Sequence, residues 1–248
     1  MPRIVIVLPC FDEEARLPAA HLARFAASNP SVGFVLVNDG SRDATLERLR
    51  SLEAEAPSQF CVIDLPQNGG KAEAVRAGMA RAFDLGCEFA GYWDADLATP
   101  LEEIPRFARV LEDRPETLVV FGARVALLGR SIRRSAARHY LGRVFATVAA
   151  ETLGVPVYDT QCGAKLFRAA PEARSLFTEP FLTRWLLDVE ILARLVAANR
   201  PDGAAHVREV VYELPLRQWH DIGTSKVRAL DFARGAIDIL RIHRRYLR

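Results

Sequence analysis

The chain has 248 residues, half of them apolar and about a quarter charged, which is ordinary composition for a globular protein with a sizeable core. No apolar run approaches the roughly 20 residues of a membrane span, and no charged-then-apolar leader opens the chain. The net charge of +2 hides an asymmetry: residues 1–123 hold 12 Lys and Arg against 19 Asp and Glu, whereas residues 124–248 hold 21 against 12. The second half is therefore suited to an anionic partner. The basic residues carry no interleaved aromatics and no nucleic-acid reading motif, so a phosphorylated small molecule or a membrane surface is expected rather than nucleic acid. Cys10, Cys61, Cys87 and Cys162 show no Cys-x-x-Cys spacing and read as reduced thiols of a cytoplasmic protein. The five histidines lie too far apart to suggest a metal site.

Ile4 to Leu8 is a continuous β-branched run ending at Pro9, the pattern of a strand buried on both faces. Leu17, Leu22 and Phe25 follow at helical spacing. Phe34–Val37 reads as a second strand and Asn38–Ser41 as a turn with a helix cap, followed by a helix bearing Leu46, Leu49 and Leu52. Phe60–Ile63 is a third strand, and Asn68-Gly69-Gly70-Lys71 opens an Ala-rich helix to about Phe83, with Gly86 as its stop. A fourth strand, Phe89–Trp93, ends at Asp94-Ala95-Asp96. A helix over Leu101–Leu111 and a strand over Leu118–Phe121 complete the regular half.

This alternation predicts an α/β fold with a mostly parallel sheet and helices on both faces. Asp12 and Glu13, Asp39, Lys71, and Asp94 with Asp96 each follow a strand. In a parallel sheet those ends share one edge, where ligands bind. Two neighbouring carboxylates need a cation, and hard oxygen donors favour Mg2+ or Mn2+. Lys71 behind two glycines can meet a phosphate together with backbone N–H groups.

The second half is less regular. Arg133–Leu153 reads as a helix, Asp159–Gly163 as a turn, and Ala164–Phe167 as a strand that joins the sheet antiparallel. Thr183–Leu195 reads as an amphipathic helix carrying Asp188 and Glu190, Val207–Leu214 as an alternating strand, and about 225–246 as a basic helix. No linker separates the halves, so a single domain over 1–248 is expected.

Pro9-Cys10-Phe11-Asp12-Glu13, Asn38-Asp39-Gly40, Asn68-Gly69-Gly70-Lys71 and Asp94-Ala95-Asp96, in this order, resemble the nucleotide-sugar site of family 2 glycosyltransferases of the GT-A, Rossmann-like fold. Asp159-Thr160-Gln161-Cys162-Gly163-Ala164-Lys165-Leu166-Phe167, Leu187–Leu192 and Gly223-Thr224-Ser225-Lys226 are similar to the dolichyl-phosphate glucosyl- and mannosyltransferase branch, and the resemblance spans about residues 3–246. It implies an inverting, metal-dependent transfer of a hexose from a nucleotide diphosphate sugar to a polyprenyl phosphate. Pro9, Phe11, Glu13, Asp39, Lys71, Asp94 and Ala95 would bind the donor. Asp94 and Asp96 would hold the metal, Asp96 more directly. Asp96, Asp188, Glu190 and Arg124 are the expected participants in transfer, and Arg133, Arg134, Arg138 and Lys226 the expected partners of the acceptor phosphate.

Ala98 stands where mannosyltransferase relatives commonly carry Gln, which favours glucose, and Asp12 replaces the usual Asn. The anchoring helix of many relatives has no counterpart. Either the basic C-terminal helix brings the protein to the periphery of a cytoplasmic membrane face, or the acceptor is soluble. A binding protein that keeps the fold without turnover is the non-enzymatic alternative.

Overall fold

The computed structural model describes residues 1–133, 136–220 and 229–248; of 133, 136–141 and 229–234 it describes the backbone only. In chain order the elements begin β1 (Ile4–Cys10), α1 (Ala19–Ser28), β2 (Val32–Asp39), α2 (Thr45–Glu55), β3 (Phe60–Leu65), α3 (Lys71–Asp84) and β4 (Phe89–Trp93). A 3-10 turn (Leu101–Glu103), α4 (Ile104–Asp113), β5 (Val119–Ala123), β6 (Ser131–Arg133), α5 (Ala136–Leu153), β7 (Ala164–Arg168) and α6 (Pro171–Ser175) follow. The chain closes with α7 (Leu187–Ala198), α8 (Gly203–Val210), β8 (Val211–Pro215), β9 (Gln218–His220), α9 (Ala229–Ile242) and a π-type turn (His243–Leu247).

Contacts divide the chain into two compact units, Met1–Leu97 with Gly163–Pro180, and Ala98–Cys162 with Phe181–Arg248. In the first unit the strand order is β3-β2-β1-β4-β7. The first four strands are parallel, and β7 runs antiparallel to β4 in the register Tyr92↔Lys165 and Trp93↔Ala164, as expected for Ala164–Phe167. β2 is buried along its whole length and β1 at all but Pro9, so layers cover both faces and explain the uninterrupted β-branched run. β1 continues through Pro9, paired with Val37, two residues past the expected end. The C-terminal ends of β1, β2 and β3 lie level, with Cys10 opposite Asn38 and Asn38 opposite Asp64. From β1 the chain winds to β2 and β3 on one side and returns to β4 on the other. That reversal makes β1/β4 the topological switch point, where an open α/β sheet leaves a crevice at its carboxyl edge. Gly86, with φ of 72°, ends the α3 segment in the left-handed conformation predicted for it.

The second unit holds the parallel pair β5–β8, in register Val119↔Val211 to Ala123↔Pro215, and the short pair β6–β9. Three expectations are corrected here. Arg133 closes a strand instead of opening a helix. Val207–Leu214 divides into the end of α8 and most of β8, because Val207 and Val210 are three residues apart and both face inward on a helix. The helix expected over 183–195 begins at Leu187 and is not amphipathic: every residue from Leu187 to Val196 is buried, Asp188, Glu190 and Arg194 included. Residues 221–228, where the C-terminal helix was expected to begin, lie outside the described residues.

Candidate nucleotide-phosphate site

At the end of β1 the chain turns at Asp12, whose φ of 48° is a left-handed conformation that Asp and Asn tolerate better than other side chains. The Asp12 carboxylate accepts the Arg42 N–H at 2.9 Å, and its own N–H donates to Ser41 Oγ at 3.0 Å. Ser41 thus braces this turn and does not cap α2, whose first residue, Thr45, donates its N–H to Asp43 at 3.1 Å. Glu13 is buried; its N–H donates to Thr45 Oγ1 at 2.8 Å and its carboxylate pairs with Arg16. Phe11 and Pro9 are half-buried.

Asp39 ends β2 and shapes the next loop. Its carboxylate, only 3% exposed, accepts N–H groups from Gly69 at 2.7 Å, Gly70 at 2.9 Å and the Asn68 amide at 2.9 Å. Three bonds to one carboxylate fix the loop that launches α3, so Lys71 stands at the first helical position in a defined place. The Lys71 ammonium then meets Asp94 Oδ1 at 2.6 Å. Asp94 is itself held by backbone: its N–H donates to the Gly163 carbonyl at 2.9 Å, and its carbonyl accepts from Leu97 N–H at 3.0 Å. Leu97 has a φ of 51°, so the Asp94–Leu97 turn is a tight, strained one, with Ala95 buried and Asp96 half-buried within it. A Cβ built on Gly163 would come within 1.7 Å of Asp94 Oδ2. Gly163 therefore exists as glycine so that this carboxylate can lie against the backbone.

The residues expected to bind the donor thus come from four strand ends and are linked by hydrogen bonds. The start of a 14-residue helix contributes its positive dipole end, Lys71 contributes a full cation, and two carboxylates stand beside it. Such a set has the chemistry to receive an anion. Among the described residues no group of three His, Cys, Asp or Glu side chains can hold a metal by itself. Asp94 and Asp96 nevertheless fit Mg2+ or Mn2+, which typically takes one or two carboxylates and completes its shell with substrate phosphates.

In the second unit the expected residues behave differently. Arg124 is engaged in a two-point ion pair with Asp159, with Nε–Oδ2 and Nη2–Oδ1 both at 2.7 Å, and its guanidinium lies 5.3 Å from the Trp219 ring centre. Glu213 accepts the N–H groups of Tyr158 and Asp159 at 2.8 and 2.9 Å, fixing the start of the Asp-Thr-Gln-Cys-Gly run. Glu190 is fully buried. It pairs with Arg194 at 2.8 Å, accepts the Leu182 N–H at 2.9 Å and accepts the Tyr246 hydroxyl at 3.0 Å. Burial, and then the Glu190 charge, hold the Tyr246 hydroxyl above the usual tyrosine range. Glu190, expected to take part in transfer, is here an anchor of the C-terminal turn. Asp188 is 2% exposed in the first turn of α7. Arg134 and Lys226, and the side chains of Arg133 and Arg138, lie outside the described residues.

Sequence reasoning quoted Asp159 and Gly163 within a motif without giving either a task. The signal was available: a glycine after a buried cysteine, one residue ahead of a strand, marks a place where another chain segment comes close.

A doubly wound parallel unit with a lysine, a helix start and paired carboxylates at its switch point has the GT-A fold. Residues 5–174 match the family described as Glycosyl transferase family 2, and the chain belongs to that family. It is 32% identical over 248 residues to a dolichyl-phosphate beta-glucosyltransferase of Trichomonas vaginalis, covering 95% of this chain and 69% of that protein. A dolichyl-phosphate beta-glucosyltransferase of Dictyostelium discoideum is 30% identical over 257 residues, covering 98% and 74%. Among solved structures, glucosyl-3-phosphoglycerate synthase from Mycobacterium tuberculosis, in complex with Mn2+, UDP-glucose and phosphoglyceric acid, superposes with a TM-score of 0.65 at 18% identity, over 98% of this chain and 80% of that one. That likeness is one of fold.

Proposed function

We propose that this chain is an inverting glycosyltransferase that moves a hexose, glucose in preference to mannose, from a nucleotide diphosphate sugar to a polyprenyl phosphate. The observation that carries the reading is the Lys71–Asp94 pair, held by the Asp39-organised loop on one side and Gly163 on the other, with Asp96 two residues on. It matches a diphosphate's need for a cation and a helix start. Relatives named as dolichyl-phosphate glucosyltransferases along most of the chain support the acceptor and the sugar.

In the proposed reaction a phosphate oxygen of the acceptor attacks the anomeric carbon from the face opposite the diphosphate. The new carbon–oxygen bond forms as the bond to the diphosphate breaks, and the nucleoside diphosphate leaves with the electron pair. The acceptor oxygen is already ionised at neutral pH, so no strong general base is required. Lys71 and the N–H groups at the start of α3 hold the diphosphate and stabilise the charge it gains. Asp39 keeps that loop in place, and Phe11 with Pro9 forms an apolar wall for the base. Asp96, with Asp94, would hold Mg2+ or Mn2+, which neutralises diphosphate charge. Asp188 and the cations Arg133, Arg134, Arg138 and Lys226 remain proposed for the acceptor side. The ion pair with Asp159 turns Arg124 toward supporting its neighbours, and Glu190 is spent on structure. A peripheral site at a cytoplasmic membrane face accords with this reading; among the described residues no helix is long and apolar enough to cross a membrane.

The test is labelled UDP-glucose with a polyprenyl phosphate and Mn2+. Labelled lipid is expected, and Asp96→Asn should lower its formation at least a hundredfold, about 2.7 kcal/mol of transition-state stabilisation. Glucosylation of a soluble acceptor without labelled lipid would overturn the acceptor assignment. Donor binding without any transfer would identify a binding protein instead.

A further inference from the structure

Among its described side chains, residues 235–242, the C-terminal helix has two apolar faces, and one of them is used for packing. Ile239 and Ile242 point inward and are 4% and 0% exposed. On the opposite side, Ile237 and Leu240 are 54% and 56% exposed. Residues 237, 240 and 241 follow the i, i+3, i+4 spacing of a single helix stripe, so Arg241 shares the face with the two apolar side chains, and Arg244 follows in the π-type turn. Arg241, Arg244 and Arg245 then line an open depression of about 430 Å3 with Leu182, itself 42% exposed. The face is held firmly from behind. Tyr246 donates to buried Glu190 at 3.0 Å, and Arg200 donates to the Arg248 carbonyl at 2.6 Å.

We infer that this stripe is a docking surface for an anionic lipid bilayer, with Ile237, Leu240 and Leu182 entering the headgroup boundary and Arg241, Arg244 and Arg245 meeting lipid phosphates. Charge complementarity selects the occupant. Three guanidinium groups border Leu182, and among the described residues the acidic side chain paired to them is Asp238, with Arg241 at 3.2 Å. Exposed apolar side chains accompanied by arginines on an outward helix surface are the pattern of an interfacial helix. Arginines at an anionic surface each contribute roughly fivefold to partitioning. The surface takes its purpose from the lipid acceptor proposed above, but its make-up belongs to the second unit alone. It lies outside the residues assigned to donor or acceptor.

The experiment is flotation of the full chain with vesicles of phosphatidylcholine, with and without phosphatidylglycerol, all free of polyprenyl phosphate. Binding to the anionic vesicles is expected, weakened by salt and absent with phosphatidylcholine alone. Arg241→Ala with Arg244→Ala should reduce binding about 30-fold. Ile237→Ser with Leu240→Ser should reduce it even at low salt. The unfolding midpoint of both variants should stay that of the parent, since the substituted side chains are exposed. Transfer to a short-chain polyprenyl phosphate in detergent separates the two proposals. If the parent binds vesicles yet transfers nothing, the acceptor reading falls and the surface stands. If the parent binds no vesicle, or the variants bind like the parent, the surface falls. A dimer that the same variants dissolve, without vesicle binding, would instead make this face a contact between copies.

Discussion

Gly163 and Asp94 show how much a single missing atom can decide. With a Cβ 1.7 Å from Oδ2, Gly163→Ala must push the Asp94 carboxylate out of its place beside Lys71. A displacement of about 1 Å at such a site can cost on the order of a hundredfold in turnover. The expected result is a loss of that size with a raised donor KM, checked by steady-state kinetics against a thermal melt. A variant with parental kinetics would detach Gly163 from the site. Cys87 behaves in the opposite way. Burial pushes its thiol up to about 11, so it stays protonated at neutral pH and packs as a small apolar group. Cys10 and Cys162 are buried as well, and Cys61 is half-buried.

Among the elements, α7 and the C-terminal turn are coupled through Glu190, Arg194 and Tyr246. Removing the hydroxyl in Tyr246→Phe is expected to lower unfolding free energy by about 1.5–3 kcal/mol, as for a hydrogen bond to a charged acceptor, read from a denaturant melt. Its pH dependence follows from the direction of the shift. Because the folded state holds the Tyr246 proton more tightly, this stabilisation is complete below the usual tyrosine pKa. It is lost as pH rises through the elevated folded value, so parent and variant should converge at high pH. The strand–helix alternation through Phe121 was legible because each strand is a short apolar run, β-branched in β1, β2 and β5, set off by turn residues such as Pro9, Asn38 and Gly86. Val207–Leu214 was not, since alternating apolar residues over so few positions suit a helix turn joined to a strand equally well. The all-round burial of α7 misled in a similar way. Asp188, Glu190 and Arg194 look like a polar face until the partners that let them be buried are known.

For the whole molecule, the chain passes from the first unit to the second after Leu97, returns at Gly163 and leaves again after Pro180. Neither unit is a contiguous segment, so ligand effects should be read on the intact chain. A donor that binds only the folded state at a hundred times its Kd contributes about 2.7 kcal/mol. For a chain of this size that raises Tm by about 2–4 °C per kcal/mol. UDP-glucose with Mn2+ should therefore raise the melting temperature more than either alone, and chelation by EDTA should remove the gain along with turnover. A donor shift that EDTA leaves untouched would separate donor binding from the metal proposed for Asp94 and Asp96.

The order of elements through Phe121, the positions of Asp39, Lys71, Asp94 and Asp96 at or just after strand ends, and the family to which they belong were all set by local pattern. Strand periodicity, helix starts and turn residues act over a few positions and can be read from them. Burial partners act over tens of residues and cannot. Only the folded chain shows that Asp39 grips the Asn68–Gly70 loop, that Gly163 makes room for Asp94, that Asp159 claims Arg124, and that Glu190 anchors the final turn. Each of these is a contact between segments 29 to 69 positions apart in the sequence.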